Sequence, residues 1–265
     1  KGYKTSCVGK WHLGHTANYL PTARGFDEYF GIPYSNDMTP RPLMRNTEVV
    51  EATATLETLT PRYTEQAVKF IQQSKNDPFF LYMPHTYPHI PLAASDRFRG
   101  KSPLGIYGDV VEELDWSVGQ VTAALKQHGL DRNTLVLFTS DNGPWYQGSP
   151  GRLRGRKGET YEGGVREPFI ARWTGRIPAG KVQHGVAGTI DLLPTLVPGA
   201  GPTDGVDLMP ALTARQPLSE RALFWRYRRM KNTRKAVRLG DWKLIQDNEQ
   251  RYLFQMAEDP LEKTN

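Results

Sequence analysis

Polar side chains that could transfer protons or bind an anion or a metal ion are concentrated in a few short segments of the sequence. The first segment places Lys10 and His12 two positions apart, directly after the run 3–8. Side chains two apart point to the same side of an extended backbone, and a cation beside an imidazole suits an oxyanion or an activated hydroxyl. A loop in which both residues are incidental is the alternative, and this segment alone leaves both interpretations open.

A second segment contains a histidine held between prolines. His89 lies between Pro88 and Pro91, soon after the apolar run 79–83, and His85 precedes it by four residues. An imidazole on a restricted backbone is well placed to protonate a leaving oxygen. A loop histidine with a purely structural role is the alternative.

A third segment, Asp141 and Asn142 followed by Gly143, comes directly after the apolar run 134–139. A carboxylate beside a carboxamide offers hard oxygens of the kind that Ca²⁺ or Mg²⁺ prefers, and glycine allows the backbone to turn sharply. The same residue types are common in ordinary turns. The segment therefore predicts a metal-binding turn, with a ligand-free turn as the alternative.

A fourth segment is the glycine-rich stretch 154–168, which contains Lys157. Its glycines let the backbone approach an anion closely, and a lysine can act on that anion as a point charge. The Gly-Lys-Ser/Thr order of a phosphate-binding loop does not occur in the stretch, so we expect an anion-binding loop of another kind.

The periodicity between these segments predicts the elements that position them. Helices are predicted over 61–74 and 107–127, a further helix is predicted to start after a capping Asp191, and buried strands are predicted at 79–83, 134–139 and 169–173. Strands that alternate with helices favour a mostly parallel α/β sheet, and such sheets bind ligands at the carboxyl ends of their strands.

The character of the sequence changes after the Gly/Pro-rich stretch 198–210. Short β-like runs follow at 222–225, 236–239, 242–245 and 252–254, with Gly240-Asp241 as a tight hairpin connection. These runs predict a small antiparallel subdomain. We therefore expect a catalytic domain over 1–214 and a C-terminal subdomain over 215–265.

Composition narrows the class of protein. The 265 residues are 38% hydrophobic and 23% charged, which is typical of a globular chain. No apolar run approaches the roughly 20 residues of a membrane span. The single cysteine, Cys7, excludes an internal disulfide and a cysteine-based metal cluster. A net charge of +6 favours anionic partners such as sulfate or phosphate esters, acidic polysaccharide or nucleic acid.

The order of the motifs resembles that of the sulfatase family, in its arylsulfatase A and N-acetylgalactosamine-6-sulfatase branch. The resemblance is carried by Gly2-Tyr3-x-Thr5 leading into Gly9-Lys10-Trp11-His12, by the stretch 24–37, by His89-x-Pro91, by the turn 141–143 and by the stretch 157–168. It implies an alkaline-phosphatase-like α/β/α sandwich with a mostly parallel sheet, plus a small C-terminal antiparallel β subdomain. It also implies hydrolysis of sulfate monoesters by a formylglycine nucleophile and one divalent metal ion.

The resemblance further implies roles for residues of the first half of the chain. Lys10 would stabilise the formylglycine hydroxyl, and His12 would assist the elimination of sulfate as a base. His89 would protonate the leaving oxygen and contact the substrate. Ser35 would contribute a hydroxyl on the substrate side.

In the second half, the resemblance makes Lys157 a catalytic residue that binds the sulfate oxygens. Asp141 and Asn142 would be two ligands of the metal ion, for which Ca²⁺ is expected ahead of Mg²⁺. The expected substrate is a sulfated small molecule or glycan, with no nucleic acid and no membrane span. By family analogy alone, the compartment would be periplasmic, extracellular or lysosomal.

The sequence also departs from the family pattern. A formylglycine is made from Cys or Ser in a Cys/Ser-x-Pro/Ala-x-Arg motif, and Cys7-Val8-Gly9-Lys10 lacks its Pro/Ala and Arg. We expect the motif and a pair of aspartate ligands to lie upstream, and Cys7 to be a small buried residue. The 265 residues alone are therefore expected to be inactive, with exposed strand edges.

Three other interpretations remain open from the sequence. The chain could belong to a phosphatase or phosphonate hydrolase of the same superfamily, or to a catalytically inactive relative. It could also bind nucleic acid or acidic polysaccharide through the basic run 226–231 with Arg234 and Lys235, because arginines and an aromatic side chain suit such contacts. The same run could instead help to bind a sulfated glycan.

Overall fold

A strand that is buried along most of its length organises the first half of the protein. The computed structural model describes residues 2–264, in a first unit that ends at Asp131 and a second that begins at Arg132. In the first unit, β1 (Lys4–Val8) pairs in parallel with β2 (Glu28–Gly31) and with β5 (Phe79–Tyr82). An antiparallel ribbon of β3 (Leu43–Arg45) and β4 (Glu48–Glu51) extends the sheet, which has the order β4-β3-β2-β1-β5.

Two helices pack in the same unit. α1 (Leu59–Gln73) buries an apolar stripe formed by Leu59, Tyr63, Ala67, Phe70 and Ile71, the spacing of one helical face. It contacts β1, β2 and the longer α2 (Gly105–Gln127). Both helices are confirmed within two residues of their predicted bounds. Within residues 2–264, no helix has both the length and the apolar character needed to cross a membrane.

The second unit begins with a two-stranded sheet. β6 (Val136–Thr139) pairs antiparallel with β7 (Phe169–Arg172), with the short helix α3 (Glu162–Val165) between them in the chain. The predicted strands are therefore present, but the prediction that they are buried members of a parallel sheet was wrong. In this sheet β6 and β7 each pair on one side only, and Phe138 and Ile170 are 37% and 60% exposed. In the first unit, the strand β5 lies at the edge of its sheet and likewise leaves Phe80 and Tyr82 exposed.

Asp191 has a different role from the predicted one. It precedes α4 (Leu192–Leu196), but its side chain makes no capping bond to that helix. Its carboxylate accepts hydrogen bonds from the amides of Gly188 and Val206, at 2.8 and 2.9 Å, and pairs with Arg221. Asp191 thus ties together three loops around α4.

The chain ends in a four-stranded antiparallel meander. After α5 (Met209–Leu212) come β8 (Leu223–Arg229), β9 (Asn232–Leu239), β10 (Trp242–Asp247) and β11 (Gln250–Gln255), in the order β11-β10-β9-β8. The hairpin at Gly240-Asp241 is confirmed. Ala236, Ile245 and Phe254 pack with Tyr161, which directly precedes α3. The domain boundary at 214/215 stays a prediction, and the outer ends of the two predicted domains, residues 1 and 265, lie outside the described residues.

Candidate functional site

The segment after β1 is held by main-chain hydrogen bonds at the carboxyl end of the strand. Four successive amides donate to carbonyls of the two neighbouring chain segments, in or after β2 and after β5: Gly9 to Phe30, Lys10 to Pro84, Trp11 to Ile32 and His12 to Pro33, at 2.8–3.2 Å. A Cβ atom on Gly9 would lie 2.0 Å from the Pro84 carbonyl oxygen, so only glycine allows this approach. The backbone on both sides of Lys10 is therefore fixed on its two neighbours.

The prediction that the backbone stays extended through His12 was wrong. His12 adopts a left-handed conformation with φ of 55°. The rule that side chains two residues apart point to the same side of an extended strand therefore does not apply to Lys10 and His12. Lys10 is half-buried and His12 is exposed. Both side chains are accessible to a ligand, and their assigned roles stay predictions.

Asn36 joins the segment after β2 to the loop that carries His89. Its buried amide nitrogen donates to the carbonyl oxygens of His89 and Pro91, both at 3.0 Å. Ser35, also buried, precedes it. The sequence named Ser35 and not Asn36, although Asn36 is the residue that fixes the position of His89.

Asp37 is a second residue that the sequence reasoning missed. The hydroxyl of Ser35 holds the pKa of the Asp37 carboxyl below its usual value, with further contributions from its own amide and from the charges of His89 and Lys10. These effects place Ser35, Asp37, His89 and Lys10 in one neighbourhood. The sequence signal for Asp37 was its place two residues after Ser35, at the end of the stretch 24–37 that carries the family resemblance.

His89 has a defined ring orientation. Its Nδ1 lies 2.6 Å from the carbonyl oxygen of Ile90. A carbonyl only accepts, so Nδ1 carries a proton and Nε2 is the nitrogen that gains or loses one. His85 is different, because burial lowers the pKa of its ring to about 4 and keeps it neutral.

In the second unit, the turn Asp141–Gly143 packs against α3. The Gly143 amide donates to the Gly164 carbonyl at 3.1 Å, and a Cβ atom on Gly143 would lie 2.0 Å from the Gly163 carbonyl oxygen. The Asn142 amide nitrogen donates to the Gly143 carbonyl at 3.1 Å, while Asp141 is exposed. The two predicted ligand side chains therefore sit on a turn that only glycine can make.

The chemistry of this turn fits part of a shell for a hard cation. Asp141 and Asn142 offer oxygens, and the nearby Glu167 has a buried Oε1 without a hydrogen-bond partner among the described residues. Burial, followed by the charge of Asp141, raises the pKa of Glu167 to about 7. No group of three or more His, Cys, Asp or Glu in residues 2–264 is arranged to hold a metal ion, whereas Ca²⁺ takes roughly 6–8 oxygens. These residues could supply only some of its ligands.

Lys157 lies on a loop that is hydrogen-bonded to the segment after this turn. Its amide donates to the Pro144 carbonyl at 3.2 Å, and the Arg156 guanidinium donates to the carbonyls of Trp145 and Gly148 at 3.0 and 2.7 Å. The second unit thus brings Lys157 near Asp141 and Asn142. The first unit gathers Lys10, Ser35 and His89.

Two sequence interpretations about other residues can be compared with the structure. Cys7 is confirmed as a buried residue of β1, and burial raises the pKa of its thiol to about 12, which does not suit a nucleophile. The basic run at 226–235 lies on β8 and β9. Arg226, Arg228 and Lys235 are exposed, whereas Arg234 pairs with Asp247.

Comparisons with known proteins agree with the sequence motifs. A family model described as Sulfatase matches residues 1–202. The chain is 42% identical over 273 residues to N-acetylgalactosamine-6-sulfatase of Canis lupus familiaris, covering 91% of this chain and 52% of that protein. It is 33% identical over 280 residues to arylsulfatase G of Rattus norvegicus, covering 84% of this chain and 53% of that protein. The chain spans about half the length of these curated relatives.

A solved structure of similar fold is that of Ps i-CgsB in complex with k-i-k-neocarrahexaose. It superposes with a TM-score of 0.89 at 30% identity, covering 100% of this chain and 67% of that one. The family resemblance and the predicted fold class are confirmed by these matches.

Proposed function

The chain belongs to the sulfatase family, and from this premise we propose that the protein hydrolyses sulfate monoesters. One observation carries the proposal. A lysine and a pair of hard-oxygen side chains lie on two loops that are hydrogen-bonded to each other, through the Lys157 amide and the Pro144 carbonyl. A sulfate monoester is an anion, and a cation beside a metal-binding turn offsets the repulsion that an attacking nucleophile meets.

The proposed work of the first unit is proton transfer. The Nε2 atom of His89 would deliver a proton to the leaving alcohol oxygen, because its Nδ1 proton is committed to the Ile90 carbonyl. The carboxylate of Asp37 would favour the protonated ring. Lys10 would stabilise the hydroxyl that a formylglycine hydrate offers as the nucleophile, and His12 would accept the proton of the second hydroxyl of that hydrate when sulfate is expelled.

The proposed work of the second unit is charge stabilisation. Lys157 would bind sulfate oxygens, and Asp141 and Asn142 would hold a divalent ion, Ca²⁺ in preference to Mg²⁺. When bound, the metal would supply positive charge, and a formylglycine would supply the nucleophile. The 265 residues contain no Cys/Ser-x-Pro/Ala-x-Arg motif, so we propose that this chain does not turn over substrate by itself.

We propose a sulfated glycan as the substrate, with a smaller sulfate ester as the alternative. The net charge of +6 favours a polyanion. Relatives named N-acetylgalactosamine-6-sulfatase and the structure in complex with k-i-k-neocarrahexaose point to sugar sulfates. Ser35 directly precedes Asn36, which donates to the carbonyl of His89, and its hydroxyl could contact the sugar there.

Parallel assays on an aryl sulfate and an aryl phosphate test the proposal, with protein that contains this chain together with a formylglycine. We expect the sulfate ester to be hydrolysed with a kcat/KM at least about a hundredfold higher, since one well-placed electrostatic contact changes rates by about 10²–10³. Preference for the phosphate ester would make the protein a phosphatase. Absence of turnover of any sulfate ester would make it an inactive relative.

A further inference from the structure

The loop that carries Lys157 lies against β8 and β9 of the four-stranded sheet. Gly158 has a φ of +84°, and a Cβ atom there would lie 3.2 Å from the ring carbon and hydroxyl oxygen at the tip of Tyr227. The carbonyl of Gly158 accepts a hydrogen bond of 2.8 Å from Nη1 of Arg234. The sheet therefore contacts the residue next to the lysine.

Arg234 connects this loop to β10. Its Nε lies 3.2 Å from both carboxylate oxygens of Asp247, its cross-strand partner, and its Nη2 lies 3.7 Å from Oε1 of Glu159. A guanidinium has a planar set of donors that can serve several acceptors at once, which an ammonium cannot reproduce. One side chain thus spans the sheet and the two residues after Lys157.

A buried ionic network holds the other end of the same loop. Nζ of Lys243 lies 2.8 Å from a carboxylate oxygen of Glu162 and 2.8 Å from one of Glu262, and the Glu162 amide donates to Glu262 at 2.7 Å. Lys243 is fully buried, whereas the side chain of Arg234 is 25% exposed. Unlike Lys243, Arg234 can therefore be substituted without removing a fully buried side chain from the core.

We propose that Arg234 is a positioning residue that fixes the Lys157 loop so that the lysine meets the sulfate group of the substrate. The sulfate contact rests on the proposed function. Lysine side chains are flexible, so the place of the ammonium depends on the backbone beneath it. The amide of Lys157 itself makes a long bond of 3.2 Å to Pro144, and small displacements of a contact group are costly for a reaction.

Hydrogen–deuterium exchange of the amides of Lys157 and Glu159 tests the positioning directly, without any need for activity. Arg234→Gln should speed exchange in residues 155–160 about tenfold or more, because a charge-assisted hydrogen bond is lost. Strands β10 and β11 should keep their protection. Arg251→Gln, an exposed position on β11, is the matched control and should change neither region. Unchanged exchange of the loop in Arg234→Gln would overturn the proposal.

A double-mutant cycle then tests whether Arg234 acts through Lys157. In protein that contains this chain together with a formylglycine, Arg234→Gln should raise KM for a sulfate ester about tenfold, with Arg234→Lys restoring part of the loss. Arg234→Gln should have no further effect in a Lys157→Ala background. Independent, additive effects would contradict a positioning role. Faster exchange with unchanged KM would support the anchoring of the loop and count against the sulfate contact of Lys157, so the two proposals fail separately.

Discussion

The candidate residues of the two units are held in place by different kinds of interaction. Around Lys10 and His89, the position of the backbone is set by neutral hydrogen bonds, from the amides after β1 and from the side chain of Asn36. Around Lys157, charged side chains of the four-stranded sheet add to the main-chain hydrogen bonds of Gly143 and Lys157. The first region is thus held by neutral hydrogen bonds, whereas the second combines such bonds with ionic partners.

This difference determines how each region responds to substitution. A neutral main-chain bond does not depend on pH or on any one side chain, so changes in the first unit should affect chemistry more than folding. A buried ion pair leaves an uncompensated charge when one partner is removed. Removing an ionic partner in the second unit should therefore affect folding and activity together.

The largest expected effect is that of Lys243→Met. It removes the cation that Glu262 contacts and leaves Glu162 with Arg238 and Arg166, at 3.3 and 3.8 Å, and we expect a loss of about 3–5 kcal/mol in the free energy of unfolding. The measurement is urea unfolding at several pH values. Burial already raises the pKa of Glu262, so in the variant the carboxyl of Glu262 should bind its proton more tightly when folded than when unfolded. The loss should then be smallest in acid and grow as pH rises.

In protein that contains this chain together with a formylglycine, Lys157→Ala should lower kcat/KM for a sulfate ester by about 10²–10³, because a preorganised charge on the sulfate oxygens is lost. The midpoint of thermal unfolding should barely change, since Lys157 is half-buried and its loop is anchored by other residues. Arg152→Ala, an exposed position nearby, serves as the control and should retain full activity. Equal rates for the two variants would remove Lys157 from the proposed chemistry.

Asn36→Ala should give a smaller effect, confined to the first unit. Two carbonyls of the His89 loop lose their donor, at a cost of about 1–3 kcal/mol in stability, and kcat should fall because His89 is less well placed. Circular dichroism and steady-state kinetics measure the two effects. An unchanged kcat would show that Asn36 supports only the fold.

The smallest effect is expected from Asp37→Asn. The negative charge of Asp37 favours protonated His89, and the proposed acid works in its protonated form. Removing the charge should shift the alkaline limb of the kcat/KM profile to lower pH by less than about one unit, because Asp37 is exposed and its charge is screened. A shift to higher pH would contradict the assigned sign.

Much of the fold could be predicted because it is encoded locally. The stripe of α1 and the hairpin at Gly240-Asp241 are patterns within a few residues of each other. The antiparallel pairing of β6 and β7, and the exposure of Phe138, depend on which neighbours a strand finds. A continuous apolar run does not contain that information.

The candidate site was predictable to the extent that its residues lie in sequence motifs. Lys10, His89 and Lys157 were found in this way. Asn36 and Arg234 were not found as site residues, because their partners are 53 and 76 positions away. No local pattern pairs Lys243 with Glu162, which lies 81 positions away.

The division of work between the two regions can be tested most directly by the dependence of each variant on the leaving group. Rates of His89→Gln and Lys157→Ala are compared on 4-nitrophenyl sulfate, whose alcohol leaves without a proton, and on a sugar sulfate, whose alcohol needs one. We expect His89→Gln to lose about 10²–10⁴ in kcat/KM on the sugar sulfate and less than about tenfold on the aryl sulfate, while Lys157→Ala loses a similar factor on both. An equal loss on both substrates for His89→Gln would contradict its role as the acid and, with it, the assignment of proton transfer to the first unit and charge stabilisation to the second.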